Sequence, residues 1–222
     1  MGTDDLFHKR KARLVESHRR KKASQSPYER ILIVCEGKKT EPPYFRGVRE
    51  ALRLNPANIV IEDRKSGLDP KSLVTYAIER VRKDKDFDHV YCVFDKDKHI
   101  SYNDALDKIR TTRRVGGSTL HTINSVPCFE IWLLLHFTFT TRPFSAAGDD
   151  SDCALVIGEL DKMGRIPGYD KGSRYIFQTI IDKTETAIDN AERLEKFHKT
   201  SRTDNPSTNV HKLIQHLKTL RR

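Results

Sequence analysis

The chain has 222 residues, of which 36% are hydrophobic and 32% are charged, and its 41 lysines and arginines exceed its 31 acids to leave a net charge of +10. This composition suits one sizeable globular core, and no apolar stretch approaches the roughly 20 residues of a membrane-spanning helix. The basic surplus indicates a polyanionic partner, most commonly nucleic acid, although solubility alone also accounts for it. Because the N-terminus lacks the apolar segment of a signal peptide, we expect a cytoplasmic protein with no membrane partner.

The first 28 residues differ in composition from the rest and are called the basic arm. Between positions 9 and 22, eight lysines and arginines are opposed only by Glu16. A block of like charge cannot collapse on itself, so we expect this arm to be flexible or to fold on a partner. Contact with nucleic-acid phosphates and a merely solvated tail are both open; the phosphate-binding candidates are Arg19, Arg20, Lys21 and Lys22.

From residue 29 onward, apolar runs alternate with amphipathic segments. We predict strands over 31–35, 57–63, 89–97 and 118–124, and helices over about 44–54, 69–84 and 102–114. This alternation predicts an α/β fold with a mostly parallel sheet flanked by helices.

Beyond Pro127 the periodicity is helical, over 127–137, 152–163, 174–199 and about 208–220. The predicted organisation is therefore the basic arm (1–28), an α/β core (29–136) and a helical C-terminal portion (137–222) packed on that core.

The cysteines at positions 35, 92, 128 and 153 are widely separated and form no Cys-x-x-Cys pair. This spacing is typical of reduced, buried thiols and not of a zinc knuckle or a disulfide framework.

Two predicted strands end in carboxylates. Glu36 follows the apolar run 31–35, and Asp95 and Asp97 end the run 89–97. Binding sites of parallel sheets form at the carboxyl ends of strands, and alternate residues of an extended segment point to the same side, away from Lys96. If the two strands are neighbours, three acids converge, and oxygen-only ligation suits Mg²⁺ or Mn²⁺. In a basic protein such a site indicates metal-assisted phosphodiester chemistry.

Each of these acids also has a simpler interpretation. A lone acid after a strand is usually a helix cap or a solvated loop residue. The string "VFDKDKH" (93–99) also resembles the nucleophile motif of haloacid-dehalogenase-type phosphatases, but His99 stands where that motif has Thr or Val, and the motif lies on the third predicted strand.

Four strings, "ILIVCEGKKTEPPYF", "VYCVFDKD", "INSVPCFEIWLLLHF" and "NPSTNVHKLI", resemble the RloB-like family of bacterial defence proteins. The chain thereby resembles the Toprim domain of topoisomerases, DnaG-type primases and OLD-family nucleases. The resemblance implies a Toprim-like (Rossmann-like) fold, a metal ligand or general acid/base at Glu36, and Mg²⁺ ligands at Asp95 and Asp97. Val126 departs from the Asn that we expect before the proline of "PCFE", which weakens any role for an amide there; Asn124 and Ser125 are the alternatives.

The implied function is a metal-dependent nuclease that acts as an effector in antiviral defence, with RNA such as tRNA favoured over DNA and an ABC-type ATPase as partner. The alternative is a non-cleaving module that binds nucleic acid or a partner and is regulated by the ATPase. The sequence leaves homo-oligomerisation open.

Further residues are secondary candidates. Glu130 is a candidate third acid, although a carboxylate in the first turn of a helix also complements the helix dipole. Lys38 and Lys39 are candidate phosphate ligands, as are Lys171 and Arg174 in the turn "YDKGSR". We expect His136, which follows a run of leucines, to be a hydrogen-bonded core residue and not a catalyst.

Overall fold

The computed structural model describes residues 28–63, 68–97, 99–147, 151–164, 166, 169, 176–201 and 203–221. The predictions for the basic arm before Tyr28, and those for Lys171 and Arg174, lie outside these residues.

The strands are β1 (Ile31–Cys35), β2 (Ile59–Asp63), β3 (His89–Asp95), β4 (Arg114–Val115), β5 (Ser118–Val126) and β6 (Ser207–Thr208). The helices are α1 (Glu41–Ala51), α2 (Pro70–Lys83), α3 (Tyr102–Thr112), α4 (Glu130–Leu135), α5 (Asp152–Met163), α6 (Ile176–Ile180), α7 (Thr184–His198) and α8 (Val210–Thr219). A 3₁₀ turn, Ile181–Lys183, joins α6 to α7.

The strands form one mixed sheet in the order β2-β1-β3-β5-β4, with β6 paired to β5. The pairs β1–β2, β1–β3 and β3–β5 are parallel, and the short strands β4 and β6 run antiparallel to β5. The predicted α/β class with a mostly parallel sheet is confirmed, and the architecture is consistent with a Toprim-like fold. Because β1 and β3 are parallel neighbours, their carboxyl ends lie side by side.

Both faces of the sheet are covered, which explains why β1 is apolar at every position. Its five residues have no exposed surface. Ile31, Ile33 and Cys35 belong to a core shared with α1 and the C-terminal helices, whereas Leu32 and Val34 belong to a core shared with α2 and α3. The C-terminal helical segments thus bury their apolar side chains against one face of the sheet, while the division into domains stays a prediction.

Helix starts follow local signals where a cap or a proline is present. Asp69 caps α2 by accepting hydrogen bonds from the backbone N–H groups of Lys71 and Ser72 at 3.1 and 3.3 Å, with Pro70 at the first position. The prediction that α1 starts near residue 44 is wrong, since it starts at Glu41 and contains Pro42 and Pro43 in its first turn. Proline is tolerated there because the first backbone N–H groups have no intrahelical partner.

Tertiary packing changed three predicted helices. The segment 174–199 divides because α6 packs against α1 whereas α7 packs against α4, and one straight helix cannot do both. The predicted helix from Pro127 begins at Glu130, since Val126 still pairs in the sheet with Ser207. That pairing also makes 207–208 a strand, so α8 starts at Val210.

The prediction that all four cysteines are reduced is wrong for two of them. Cys128 and Cys153 form a disulfide with a Cα–Cα distance of 5.7 Å, while Cys35 and Cys92 are free and buried. The two sulfurs come together because α5 packs against the segment before α4. The spacing of the cysteines along the chain does not predict this approach. Among the described residues, no helix combines the length and the apolar character that crossing a bilayer requires.

Candidate active site

Glu36 and Asp95 meet at the carboxyl edge of the sheet. Glu36 follows β1 and its backbone N–H donates to the Val93 carbonyl at 3.0 Å, which continues the ladder with β3. The side chain then turns back, and Glu36 Oε2 accepts a hydrogen bond from the backbone N–H of Asp95 at 2.9 Å. The two acids, far apart in sequence, are therefore held at one point by the parallel pairing of their strands.

These acids line a cleft of about 470 Å³. Its walls carry six carboxylates and three basic side chains: Glu36, Glu41, Asp69, Asp95, Asp97, Glu130, Lys38, Lys39 and His99. All six of the core residues that the sequence singled out, namely Glu36, Asp95, Asp97, Glu130, Lys38 and Lys39, lie in this one cleft, although their functional roles stay predictions.

Strand β3 ends at Asp95, so the prediction that the extended segment reaches residue 97 is wrong, and Asp97 lies in the turn that follows the strand. Asp97 faces the cleft, and its backbone N–H donates to the Pro127 carbonyl at 3.0 Å. Its φ of 27° is unusual for a residue other than glycine and shows that the surrounding contacts define this turn. Lys96 points away from the cleft, where its Nζ is 2.7 and 2.9 Å from the two carboxylate oxygens of Asp204.

Glu41 is a site residue that the sequence analysis missed. It is buried in the first turn of α1, and its Oε1 accepts a hydrogen bond from the Gly37 backbone N–H at 3.3 Å. A Cβ at position 37 would be 2.9 Å from Glu41 Cδ, so glycine is needed for this close approach. The string "EGKKTEPP" contained a usable signal, because an acid before two prolines marks a helix N-terminus at the same sheet edge as Glu36.

His99 and Asp69 were also missed. His99 Nε2 lies 2.9 Å from Glu36 Oε1, so the two ends of the Glu36 carboxylate are held by Asp95 and His99. Asp69 caps α2 and accepts a hydrogen bond from Ser101 Oγ at 2.6 Å, and these bonds lower its pKa to about 2. Neither residue belongs to an apolar run, so only the folded chain shows that they line the cleft.

The crowding of carboxylates changes their acidity. Burial raises the pKa of Glu36 to about 7, and the nearby charges of Glu41, Asp69 and Asp97 act in the same direction. The pKa of Asp95 is raised well above its usual value, first by burial and then by the charges of Glu41, Glu130 and Glu36. Glu36 therefore keeps its proton to a higher pH than an isolated carboxylate does, and the pKa of Asp95 is shifted in the same direction.

Other acids at this edge of the sheet are neutralised and stand apart from the cleft. Glu62 accepts from Tyr76 Oη at 2.6 Å and from Arg80 Nε at 3.0 Å. Asp63 accepts from Arg46 at 3.0 Å. The contrast shows that the cleft concentrates negative charge, while acids at the neighbouring strand end form ordinary ion pairs.

The donor chemistry of the cleft fits a hard divalent cation such as Mg²⁺ or Mn²⁺, since its acids offer oxygen ligands and an added positive charge relieves their repulsion. Within the described part of the chain, however, no three cleft acids bring carboxylate oxygens within 4.8 Å of one another. Side-chain rotation must therefore accompany the binding of an ion by three carboxylates.

Glu130 lies in the first turn of α4 and is buried at the cleft wall. Tyr169 Oη donates to its Oε1 at 2.8 Å, and Cys153 Sγ is 3.2 Å from its Oε2. Burial, reinforced by the negative charge of Glu130, raises the pKa of Tyr169, so the tyrosine keeps its proton for this hydrogen bond.

The remaining candidates divide between rim and core. Lys38 and Lys39 are exposed at the cleft, and neither pairs with an acid within the described residues. His136 is buried, its Nδ1 is 2.9 Å from the Trp132 carbonyl, and burial lowers its pKa to about 4; this confirms that it is a core residue.

The two residues that the sequence offered in place of an Asn at position 126 are engaged elsewhere. Asn124 Nδ2 donates to Tyr102 Oη at 2.6 Å, and its Oδ1 accepts from Asn209 at 2.6 Å. Ser125 Oγ is 3.0 Å from Thr208 Oγ1. These side chains tie α3 and the start of α8 to β5 and do not line the cleft.

A family model described as RloB-like protein matches residues 31–217. This range contains every cleft residue and almost all of the described fold. No match was found among curated proteins or among solved structures.

Proposed function

The chain belongs to the RloB-like family, and from this premise and the acidic cleft we propose that it is a metal-dependent nuclease that hydrolyses phosphodiester bonds in nucleic acid. The observation that carries the proposal is the meeting of Glu36 and Asp95, held by a 2.9 Å hydrogen bond in a cleft with four further acids. We further propose that RNA such as tRNA is preferred over DNA, and that the activity serves antiviral defence together with an ABC-type ATPase partner. These last points rest on the family resemblance alone.

The cation would be held by Asp95, Asp97 and Glu36, with Glu41 and Glu130 in reach of the same cleft. When bound, it supplies positive charge that stabilises the phosphate as negative charge develops there. A purely acidic cleft would otherwise repel a phosphodiester. Lys38 and Lys39 at the rim would attract and orient the backbone of the nucleic acid.

Glu36 is suited to move a proton. When no cation is bound to it, its pKa of about 7 lies near the pH at which the protein would work, which is the condition for an effective general acid or base. Glu36 Oε1 is 2.9 Å from His99 Nε2, so a proton taken up at the carboxylate can pass to the imidazole and out to solvent, where the His99 side chain is 40% exposed. His99 is thereby proposed as a second proton carrier.

The test is cleavage of labelled tRNA, other RNA and DNA by the purified chain, with Mg²⁺, with Mn²⁺ and with EDTA. We expect Asp95→Asn to abolish cleavage and Glu36→Gln to reduce it about 10²–10⁴-fold. Asp107→Asn is the matched control, because Asp107 is an exposed acid of α3 that pairs with Arg110. Normal cleavage by a purified Asp95→Asn variant would overturn the proposal.

The second candidate is a non-cleaving module in which the acids bind a regulatory ion. It is favoured by the finding that no three cleft acids are preorganised within 4.8 Å among the described residues. Mg²⁺ binding that depends on Asp95, with no cleavage of any substrate in the presence of the ATPase partner, would select this alternative over the nuclease.

A further inference from the structure

A second cluster of ligand-type side chains lies at the opposite edge of the sheet. Glu29 precedes β1, His89 begins β3, and His216 lies in α8. One ligand atom from each of the three falls within 4.8 Å of the others. His216 Nε2 is 2.9 Å from Glu29 Oε2, and His89 Nε2 is 3.7 Å from the same oxygen. Three distant segments of the chain therefore converge on one carboxylate oxygen.

The other nitrogen of each imidazole is already engaged. His216 Nδ1 is 2.6 Å from Tyr91 Oη, and His89 Nδ1 is 2.9 Å from His121 Nε2. Both partners can accept a hydrogen bond, so each Nδ1 can carry the proton and each Nε2 can present its lone pair towards Glu29. Histidines that bind metals are oriented in this way, by donating their second N–H to a fixed acceptor.

The supporting residues are themselves fixed. The rings of Tyr91 and His121 stack with centroids 4.6 Å apart, and the rings of His89 and His216 meet edge to face at 4.9 Å. Tyr91 and His121 are directly paired across β3 and β5, so the sheet sets their positions. A rigid second layer of this kind would hold both imidazoles close to the geometry of the bound state.

The charge of the cluster also suits a cation. Neutral imidazole is the form that binds metals, and the Glu29 carboxylate supplies negative charge beside the two imidazoles.

We propose that Glu29, His89 and His216 form a Zn²⁺ site, with a coordination position left open to water. Two imidazoles and one carboxylate are a common donor set for zinc, whereas Mg²⁺ prefers oxygen ligands alone. The three side chains are 44%, 27% and 22% exposed, so an ion can enter from solvent. Bound zinc would join the segment before β1, the start of β3 and helix α8, and so stabilise the packing of α8 on the sheet.

This site is separate from the acidic cleft. His89 and Asp95 are the first and last residues of β3, so the two sites are roughly 20 Å apart, at about 3.3 Å per strand residue. Substitutions at one site can therefore be compared with substitutions at the other.

The test is isothermal titration calorimetry of the full chain after EDTA treatment, with ZnCl₂ as the only titrant. Excess Mg²⁺ is present in the buffer to occupy the acidic cleft. We expect one equivalent to bind, with affinity at least about 10-fold weaker in His89→Gln and His216→Gln. Glu29→Gln provides a variant outside every strand and helix, in case a histidine variant fails to fold. His198→Gln is the matched control, because His198 contacts only Ser201 and the Pro206 carbonyl among its hydrogen-bond partners in the described residues.

Two further measurements distinguish zinc binding at this cluster from zinc binding at the acidic cleft or at cysteine thiolates. Zn²⁺ should raise the unfolding midpoint of the wild type and of Asp95→Asn, but not that of His216→Gln. Co²⁺ should give a visible spectrum without the intense near-ultraviolet band of thiolate ligation. Three results would each overturn the proposal: zinc binding that is lost in Asp95→Asn but kept in the histidine and Glu29 variants, a thiolate band in the Co²⁺ spectrum, or no zinc binding at all. If no zinc binds, the cluster is an ion pair between Glu29 and His216.

Discussion

Replacing Glu36 with Gln is expected to stabilise the metal-free protein above neutral pH while it lowers the proposed nuclease activity. Glu36 has a side chain that is only 13% exposed and a pKa raised from 4.5 to about 7. Each pKa unit corresponds to 1.36 kcal/mol, so folding the ionised form costs roughly 3 kcal/mol relative to the protonated form. Gln is nearly isosteric, carries no charge, and can still accept the hydrogen bond from the Asp95 backbone.

The pH dependence has a defined sign. A folded-state pKa above the unfolded value means that the native protein binds the extra proton, so its stabilising contribution is fully present below about pH 4.5 and is lost as pH rises through about 7. The difference between Glu36→Gln and wild type should therefore be small at pH 4.5 and reach about 2–3 kcal/mol at pH 8. Part of the gain arises through Asp95, because the charge of Glu36 contributes to raising its pKa.

The assay is urea unfolding of both proteins in EDTA at pH 4.5 and pH 8, repeated with excess Mg²⁺. Mg²⁺ should stabilise the wild type more than Glu36→Gln, because the ion neutralises the charge that the variant lacks. Glu79→Gln, at an exposed position of α2, is the matched control and should change stability by less than about 0.5 kcal/mol. A Glu36→Gln variant that is no more stable than wild type at pH 8 in EDTA, or equally stabilised at pH 4.5, would refute this reasoning.

Three other variants give further tests. Gly37→Ala should weaken Mg²⁺ binding at least about 10-fold by calorimetry, since its Cβ would displace the Glu41 carboxylate; unchanged affinity would mean that Glu41 does not take part. Asn124→Ala should lower the free energy of unfolding by about 1–3 kcal/mol in urea, because the hydrogen bonds of Tyr102 and Asn209 lose their partner; an unchanged midpoint would contradict this. Deletion of the basic arm should reduce the slope of log affinity for single-stranded RNA against log salt by about 0.7 for each arm residue that contacts phosphate, and an unchanged slope would show that the arm is only a solvated tail.

The sequence predicted the strands and helices whose conformation depends on residues close together in the chain. The five apolar residues of β1 indicated a strand covered on both faces. The helix predicted over 152–163 has its observed bounds, and in the structure Ser151 caps its start while Gly164 ends it with a positive φ. Glu36 and the D-x-D pair stood out because carboxylates that converge at the ends of neighbouring parallel strands repel one another unless a bound cation relieves them.

The sequence did not predict the site residues and contacts that depend on packing between distant parts of the chain. Glu41 was missed because the helix was predicted to start near residue 44 and not at Glu41. The burial that raises the pKa of Glu36 depends on how the chain packs around the sheet edge. The Cys128–Cys153 bond and the break between α6 and α7 likewise follow from the docking of helices on one another.

The amino-acid sequence by itself determined the α/β class, the position of the principal strands along the chain and the identity of the acids at two strand ends, because alternation, capping and apolar character are local properties of the chain. Tertiary structure alone decided that those acids share one cleft with Glu41 and His99, and that Glu29, His89 and His216 meet at the opposite edge. The physical reason is that strand order and helix docking set distances between residues far apart in the chain, and these distances fix charge crowding, pKa and metal-binding geometry.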